Sequence, residues 1–272
     1  MGITKIDTIL MILGSSVDMS EKERDICNTL MIQGFNQVAQ EAGTSTTGGQ
    51  TVYNPWVMIG GTAMSVVKES DIIRPNNMKP GEVLILTKPL GAQLVVNFNQ
   101  WLKLKNEKWE KVKDLVSEQT VLDAYDKGIK SMSTLNLSAA QLMHKYKASA
   151  GTDVTGFGIK GHSQNLAKAQ NRKVDLRINT LPCLGGLYKY DKVARDFRFK
   201  EGRAAETSGG ILLGLAKVRK KFCVVVKFFK EKAQDFLHEY KEMTGLDAYV
   251  IGEVVEGNNN SVIASDAEFI DV

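Results

Sequence analysis

Cysteine, proline, histidine and aromatic residues are all scarce in this 272-residue chain, which has 3 Cys, 5 Pro, 3 His and 7% aromatic residues. Cys27, Cys183 and Cys223 are odd in number, far apart and without any CxxC pair. That pattern excludes a disulfide scaffold or a cysteine zinc site and points to a reducing compartment. Cys27 and Cys223 sit in apolar context and read as core, whereas Cys183, after Pro182, reads as open to exposure. His144, His162 and His238 lie apart, and neither a nucleophile elbow nor a Walker-type lysine loop occurs. His162 reads as a helix-surface or packing residue rather than a base. Long apolar runs are missing as well: no window approaches 18 uninterrupted apolar residues, so no membrane partner is expected. The opening "MGITKIDTILMILGSS" has only Lys5 ahead of its apolar stretch and carries Asp7, a poor secretory signal; a cytoplasmic location is expected. A large excess of one charge is also lacking. The formal charge of +4 comes from 35 basic and 31 acidic residues, too small a surplus to argue for nucleic acid, and anionic small molecules fit it equally well.

What is present is ample core-forming material, 43% hydrophobic residues, enough for one large or two ordinary domains. "SEKERDICNTLMIQGFNQVAQEAG" predicts a helix opened by a Ser20–Glu23 capping box and ended at Gly43, with Ile26, Leu30, Gly34 and Val38 forming its packed face. "WVMIGGTAMSVV" (56–67) predicts a strand whose Gly60–Gly61 pair marks a bulge or a close backbone approach. "RPNNMKPGE" (74–82) is the best boundary signal, and we take 1–76 and 77–272 as two domains. Beyond it, strand-like "VLILT" and "VDLRI" alternate with helical stretches at about 118–134, 138–147, 157–170 and 230–243, which argues for α/β architecture. "AYVIGEVVEGNNNSVIAS" (248–265) reads as two strands joined by an Asn/Gly turn, in the manner of a hairpin.

Three stretches could carry chemistry. In "ASAGTDVTGFGIKGH" (148–162), Asp153 precedes Gly156 and Gly158 at the start of a helix. A carboxylate there can ligate Mg²⁺ while nearby N–H groups face phosphate oxygens; alternatively Asp153 or Thr155 simply caps the helix. "TSTTGGQT" (44–51) offers hydroxyls and a Gly pair as a nucleotide loop, or else an ordinary helix-to-strand turn, and "ETSGG" repeats the theme as a turn. "KVRKKFCVVVKFFKEK" (217–232) is basic and phenylalanine-bearing, and reads as a buried strand with lysine-rich flanks in preference to a nucleic-acid site.

Taken together and in order, "AGTSTTGGQTVYNPW", "VLILTKPLGAQ", "GTDVTGFGIKGHSQNLAKAQ" and "ETSGGILL" closely resemble selenophosphate synthetase (selenide, water dikinase), particularly its eukaryotic form. The resemblance runs over nearly the whole chain, and "DVTGFG" followed by "GH" is its most specific motif. It implies the two-domain α/β fold shared with aminoimidazole ribonucleotide synthetase, with 1–76 as an ATP-binding and dimerisation domain and 77–272 as a C-terminal α/β domain. It also implies a homodimer whose N-terminal sheets meet in a barrel. The implied reaction uses ATP and Mg²⁺ to turn selenide and water into selenophosphate, AMP and orthophosphate. By motif, Asp153 corresponds to a Mg²⁺-binding aspartate, and Gly48, Gly49, Gln50 and Thr51 to an ATP-contacting loop. The family's glycine-rich loop with its reactive cysteine or selenocysteine, a nearby lysine and further magnesium aspartates belong to a segment preceding Met1. The expectation is therefore a chain that does not turn over alone, or a regulatory relative that dimerises with a full-length homologue.

Overall fold

The computed structural model describes residues 1–216 and 231–272. Most of the basic stretch 217–232, with Cys223, thus lies outside the described residues. The chain divides into two compact units, Gly2–Ile72 and Ile73–Val272, the latter joined by Met1.

In the first unit, strand β1 (Thr8–Ser16) is central to a three-stranded sheet, flanked by β2 (Thr46–Asn54) in parallel and β3 (Met58–Met64) in antiparallel pairing. Helix α1 (Glu21–Glu41) begins with the predicted capping box: Ser20 Oγ accepts the Glu23 N–H and the Glu23 carboxylate accepts the Ser20 N–H. Its packed face is not the expected one. Ile26, Leu30 and Val38 are exposed, and a Cβ at Gly34 would meet nothing within 4 Å. The packed row lies one residue further on, through Cys27, Met31, Phe35 and buried Ala39. The helix is apolar on two sides, so i, i+4 spacing alone could not select between them. The Gly60–Gly61 pair makes no bulge in the β1–β3 register; Gly61 instead admits the Phe35 ring, which would lie 2.7 Å from any Cβ there.

The second unit contains β4 (Val83–Leu86), α2 (Ala92–Leu104), α3 (Glu107–Glu110), α4 (Glu118–Ser133), α5 (Leu137–Tyr146), β5 (Ala150–Asp153) and α6 (Gly158–Lys168). It continues with β6 (Val174–Cys183), α7 (Asp191–Ala194), β7 (Ile211–Leu215), α8 (Glu231–Thr244), β8 (Tyr249–Glu256) and β9 (Ser261–Asp271). The sheet order is β5-β7-β4-β8-β6-β9, antiparallel throughout except for the β6–β9 pair. Strand alternation sends Leu84, Leu86 and Leu212 into one core with residues of α2, α4 and α6. Ile85, Leu213 and Leu215 point to the other face, against Leu142 and Met143 of α5 and Phe236 and Tyr240 of α8. Both faces of the sheet are covered by helices, which explains why its strands read as continuous apolar runs.

The hairpin expected at the end of the chain does not form, because β6 lies between β8 and β9. The turn is held over the start of β6: Asp175 Oδ1 accepts the N–H groups of Asn258 and Asn260, each at 2.8 Å, and Asn259 N–H donates to Val174 O. Asn259 takes the left-handed backbone its side chain tolerates. Cys183 is buried, not exposed, and burial pushes its thiol well above the ordinary range. As the last residue of β6 it belongs to the larger core cluster.

Candidate functional site

Asp153 closes β5, opposite Ile211 of β7, and its side chain is exposed. The next residue, Val154, is fully buried and donates its N–H to Gly210 O at 3.0 Å. The strand end is thereby anchored while the carboxylate stands free of the core. The capping alternative fails: α6 starts at Gly158 after Phe157, with no side-chain cap, and Thr155 takes the Gly158 N–H through its backbone oxygen. Thr155 Oγ1 instead lies 3.2 Å from His162 Nε2. His162 is buried beneath Phe157, their ring centroids 5.4 Å apart, while Phe157 itself is 70% exposed. Burial lowers the His162 imidazole pKa, and the Asp153 charge opposes that shift. His162 therefore acts as the predicted packing residue.

Residues 46–54, expected to contain a loop, form strand β2 at the edge of the first unit's sheet. Gly48, Gly49, Gln50 and Thr51 lie within that strand, and what distinguishes it from an ordinary edge is local irregularity. The register slips beside Thr47, and Gly49 sits at φ +145, where a Cβ would come within 1.8 Å of Met11 O. Bulges of this kind gather at sheet edges and beside binding sites, where they turn backbone groups out of the ladder.

Among the described residues, no three His, Cys, Asp or Glu side chains are grouped to hold a metal. Asp153 itself offers one exposed carboxylate, a hard oxygen donor of the kind a cation can take.

Two further residues hold the chain that is hydrogen-bonded to Val154 and Thr155. Glu206 is buried and accepts from Gly91 N at 2.7 Å and Ala92 N at 2.9 Å, the first amides of α2; burial pushes its carboxyl up to about 8 against those two bonds. Lys88 is 1% exposed, donates to Thr134 O at 2.6 Å and Ser208 O at 2.8 Å, and has its pKa lowered by burial to about 8. Their only sequence signal was position: a lysine directly after an apolar strand and an acid directly before a hydroxyl–glycine run.

This sheet, with its carboxylate beside a glycine-bounded turn, defines the class: residues 79–265 match the family described as AIR synthase related protein, C-terminal domain. Solved structures share the fold. Thiamine-monophosphate kinase from Stenotrophomonas maltophilia superposes with a TM-score of 0.67 at 16% identity, covering 98% of this chain and 74% of that one. Hydrogenase maturation protein HypE in complex with ATP gives 0.66 at 14% identity, covering 95% and 70%.

Sequence relatives are more specific. The chain is 44% identical over its full length to selenide, water dikinase 2 of Mus musculus, covering 58% of it. It is 40% identical to selenide, water dikinase of Dictyostelium discoideum, covering all of this chain and 73% of that protein. The chain belongs to the selenide, water dikinase family. It spans about three-fifths of the length of the mouse and zebrafish relatives, at 58% and 61%.

Proposed function

We propose that this chain carries part of the machinery that makes selenophosphate from selenide, ATP and water, with AMP and orthophosphate as the other products. The observation that carries the reading is Asp153: an exposed carboxylate on an anchored strand end, with no capping duty, in the family's most specific motif. Asp153 would hold Mg²⁺, and Gly48, Gly49, Gln50 and Thr51 would contact ATP. When bound, Mg²⁺ neutralises phosphate charge and orients the chain of phosphates. The irregular backbone at Thr47–Gly49 favours contact by main-chain groups in the first unit.

In the second unit, the work of this chain's own residues is positional. Val154 fixes the strand end, and Thr155 with His162 fixes the following turn, so that the backbone bearing Asp153 is in place before binding. A single carboxylate does not complete a dikinase site. We therefore propose that these 272 residues bind magnesium nucleotide without completing turnover.

A homodimer is proposed through the first unit's sheet. On the face opposite Ile9 and Leu13, the side chains of Leu10, Ile12, Val52, Met58 and Met64 are exposed, between 41% and 45%. Five large apolar groups in one contiguous register suit burial against a second copy. The same face supports the second reading, a regulatory subunit that pairs with a full-length homologue.

The functional test is equilibrium binding of a non-hydrolysable ATP analogue in Mg²⁺, with AMP and orthophosphate as competitors. Binding displaced by AMP supports the reading. No nucleotide binding at any Mg²⁺ concentration would contradict it.

A further inference from the structure

The segment leading into β7 has an exposed tip on a buried foundation. Thr207 and Ser208 are exposed, whereas Glu206, Gly209 and Gly210 around them are buried. Everything beneath the tip is tied down. The Glu206 carboxylate accepts two amides from the start of α2, Lys88 Nζ donates to Ser208 O, and Asn136 Nδ2 donates to Gly209 O at 2.9 Å. Gly210 O takes the N–H of Val154, the residue after Asp153, and Glu206 N–H donates to Thr155 O.

Two buried ionisable side chains are a costly way to hold an ordinary surface turn, since apolar residues of similar size would avoid the desolvation. Their effect is to specify one conformation. Ser208 is held at φ +48, a region that non-glycine residues seldom occupy and that persists where the surroundings enforce it, often at binding sites. Gly209 lets the loop lie directly on the strand end, because a Cβ there would fall 2.0 Å from Val154 O. The hydroxyl pair is thus fixed at the same end of the sheet as Asp153.

The chemistry of the two elements is complementary. An ionised Asp153 can only accept hydrogen bonds, and repels phosphate oxygens unless a cation lies between them. Thr207 and Ser208 bring hydroxyl donors, which such oxygens need. We propose that the Thr207–Ser208 tip is a second binding element beside Asp153, donating to phosphate oxygens of magnesium nucleotide, with Lys88 and Glu206 as positioning residues beneath it. The proposal rests on the reading of Asp153 as a Mg²⁺ ligand.

Amide-resolved NMR of the full 272-residue chain, titrated with a non-hydrolysable ATP analogue and Mg²⁺, separates the two. Saturable shifts at Thr207–Gly210 together with Asp153–Gly158 are expected, with the Thr207→Val/Ser208→Ala variant binding about tenfold more weakly. Lys88→Met should move the free-state signals of Ser208–Gly210 and weaken binding by the folded protein. A merely structural lysine would lower the melting temperature and leave that affinity unchanged. Shifts at Asp153–Gly158 that spare Thr207–Gly210, or wild-type affinity in the double variant, would overturn the binding-loop proposal while leaving the Asp153 reading intact. No shifts near Asp153 would overturn both.

Discussion

Glu206 Oε1 accepts the Gly91 N–H at 2.7 Å across 115 residues of sequence, joining the approach to β7 to the first turn of α2. The bond satisfies an amide that no residue of the helix itself can reach, and it places a carboxyl where water does not. Burial raises its pKa from the ordinary 4.5 to about 8. A raised folded-state pKa stabilises the protein fully below 4.5, and that stabilisation is lost as pH climbs to about 8. The loss approaches about 1.4 kcal/mol per pH unit at most. Glu206→Gln should therefore flatten the dependence of melting temperature on pH between about 5 and 8. An unchanged slope would show that Glu206 is ionised throughout.

Lys88 works in the opposite direction. Its pKa falls from 10.5 to about 8, so the unfolded chain holds the proton more tightly, and stability contributed by this group rises between about 8 and 10.5. Lys88→Met should remove that alkaline rise in melting temperature. Persistence of the rise in the variant would assign it to another group.

Gly49→Ala places a methyl 1.8 Å from Met11 O at a backbone angle unsuited to an L-residue. The β1–β2 pairing should weaken by roughly 2–4 kcal/mol, read as a lower denaturation midpoint and faster amide exchange along β2. A variant with wild-type exchange in β2 would contradict the described strand.

Leu10→Glu or Ile12→Glu puts a charge on the uncovered sheet face without touching the side packed by α1. Light scattering should show the proposed dimer for the unaltered chain and its loss in either variant, with little change in melting temperature of the monomer. A dimer that survives both changes would place self-association elsewhere.

Much of the fold was legible because its signals are local. The Ser20–Glu23 box, Gly91 before α2 and the apolar run of β4 each depend on residues within one turn or one strand. Signals failed where the answer depended on distant chain. Nothing in 248–265 shows that β6 will lie between the last two strands, and the two apolar sides of α1 could be ranked only by the sheet beside it. The site divides in the same way. Asp153 stands out as an acid before glycines, but β2 reads as a loop because two glycines and several hydroxyls look alike in a turn and in a bulged edge strand. Lys88 and Glu206 are ordinary charged residues in sequence. Their partners are distant in sequence: Lys88 reaches Thr134 and Ser208, 46 and 120 positions away, and Glu206 reaches Gly91, 115 away.

The most direct measurement is calorimetric titration of the chain and of Asp153→Ala with a non-hydrolysable ATP analogue, each with and without Mg²⁺. Asp153 is exposed and caps nothing, so the variant should fold with a melting temperature equivalent to within about 0.5 kcal/mol of stability. The account predicts magnesium-dependent binding in the wild type that the substitution abolishes. Equal magnesium-dependent binding in both proteins would contradict it.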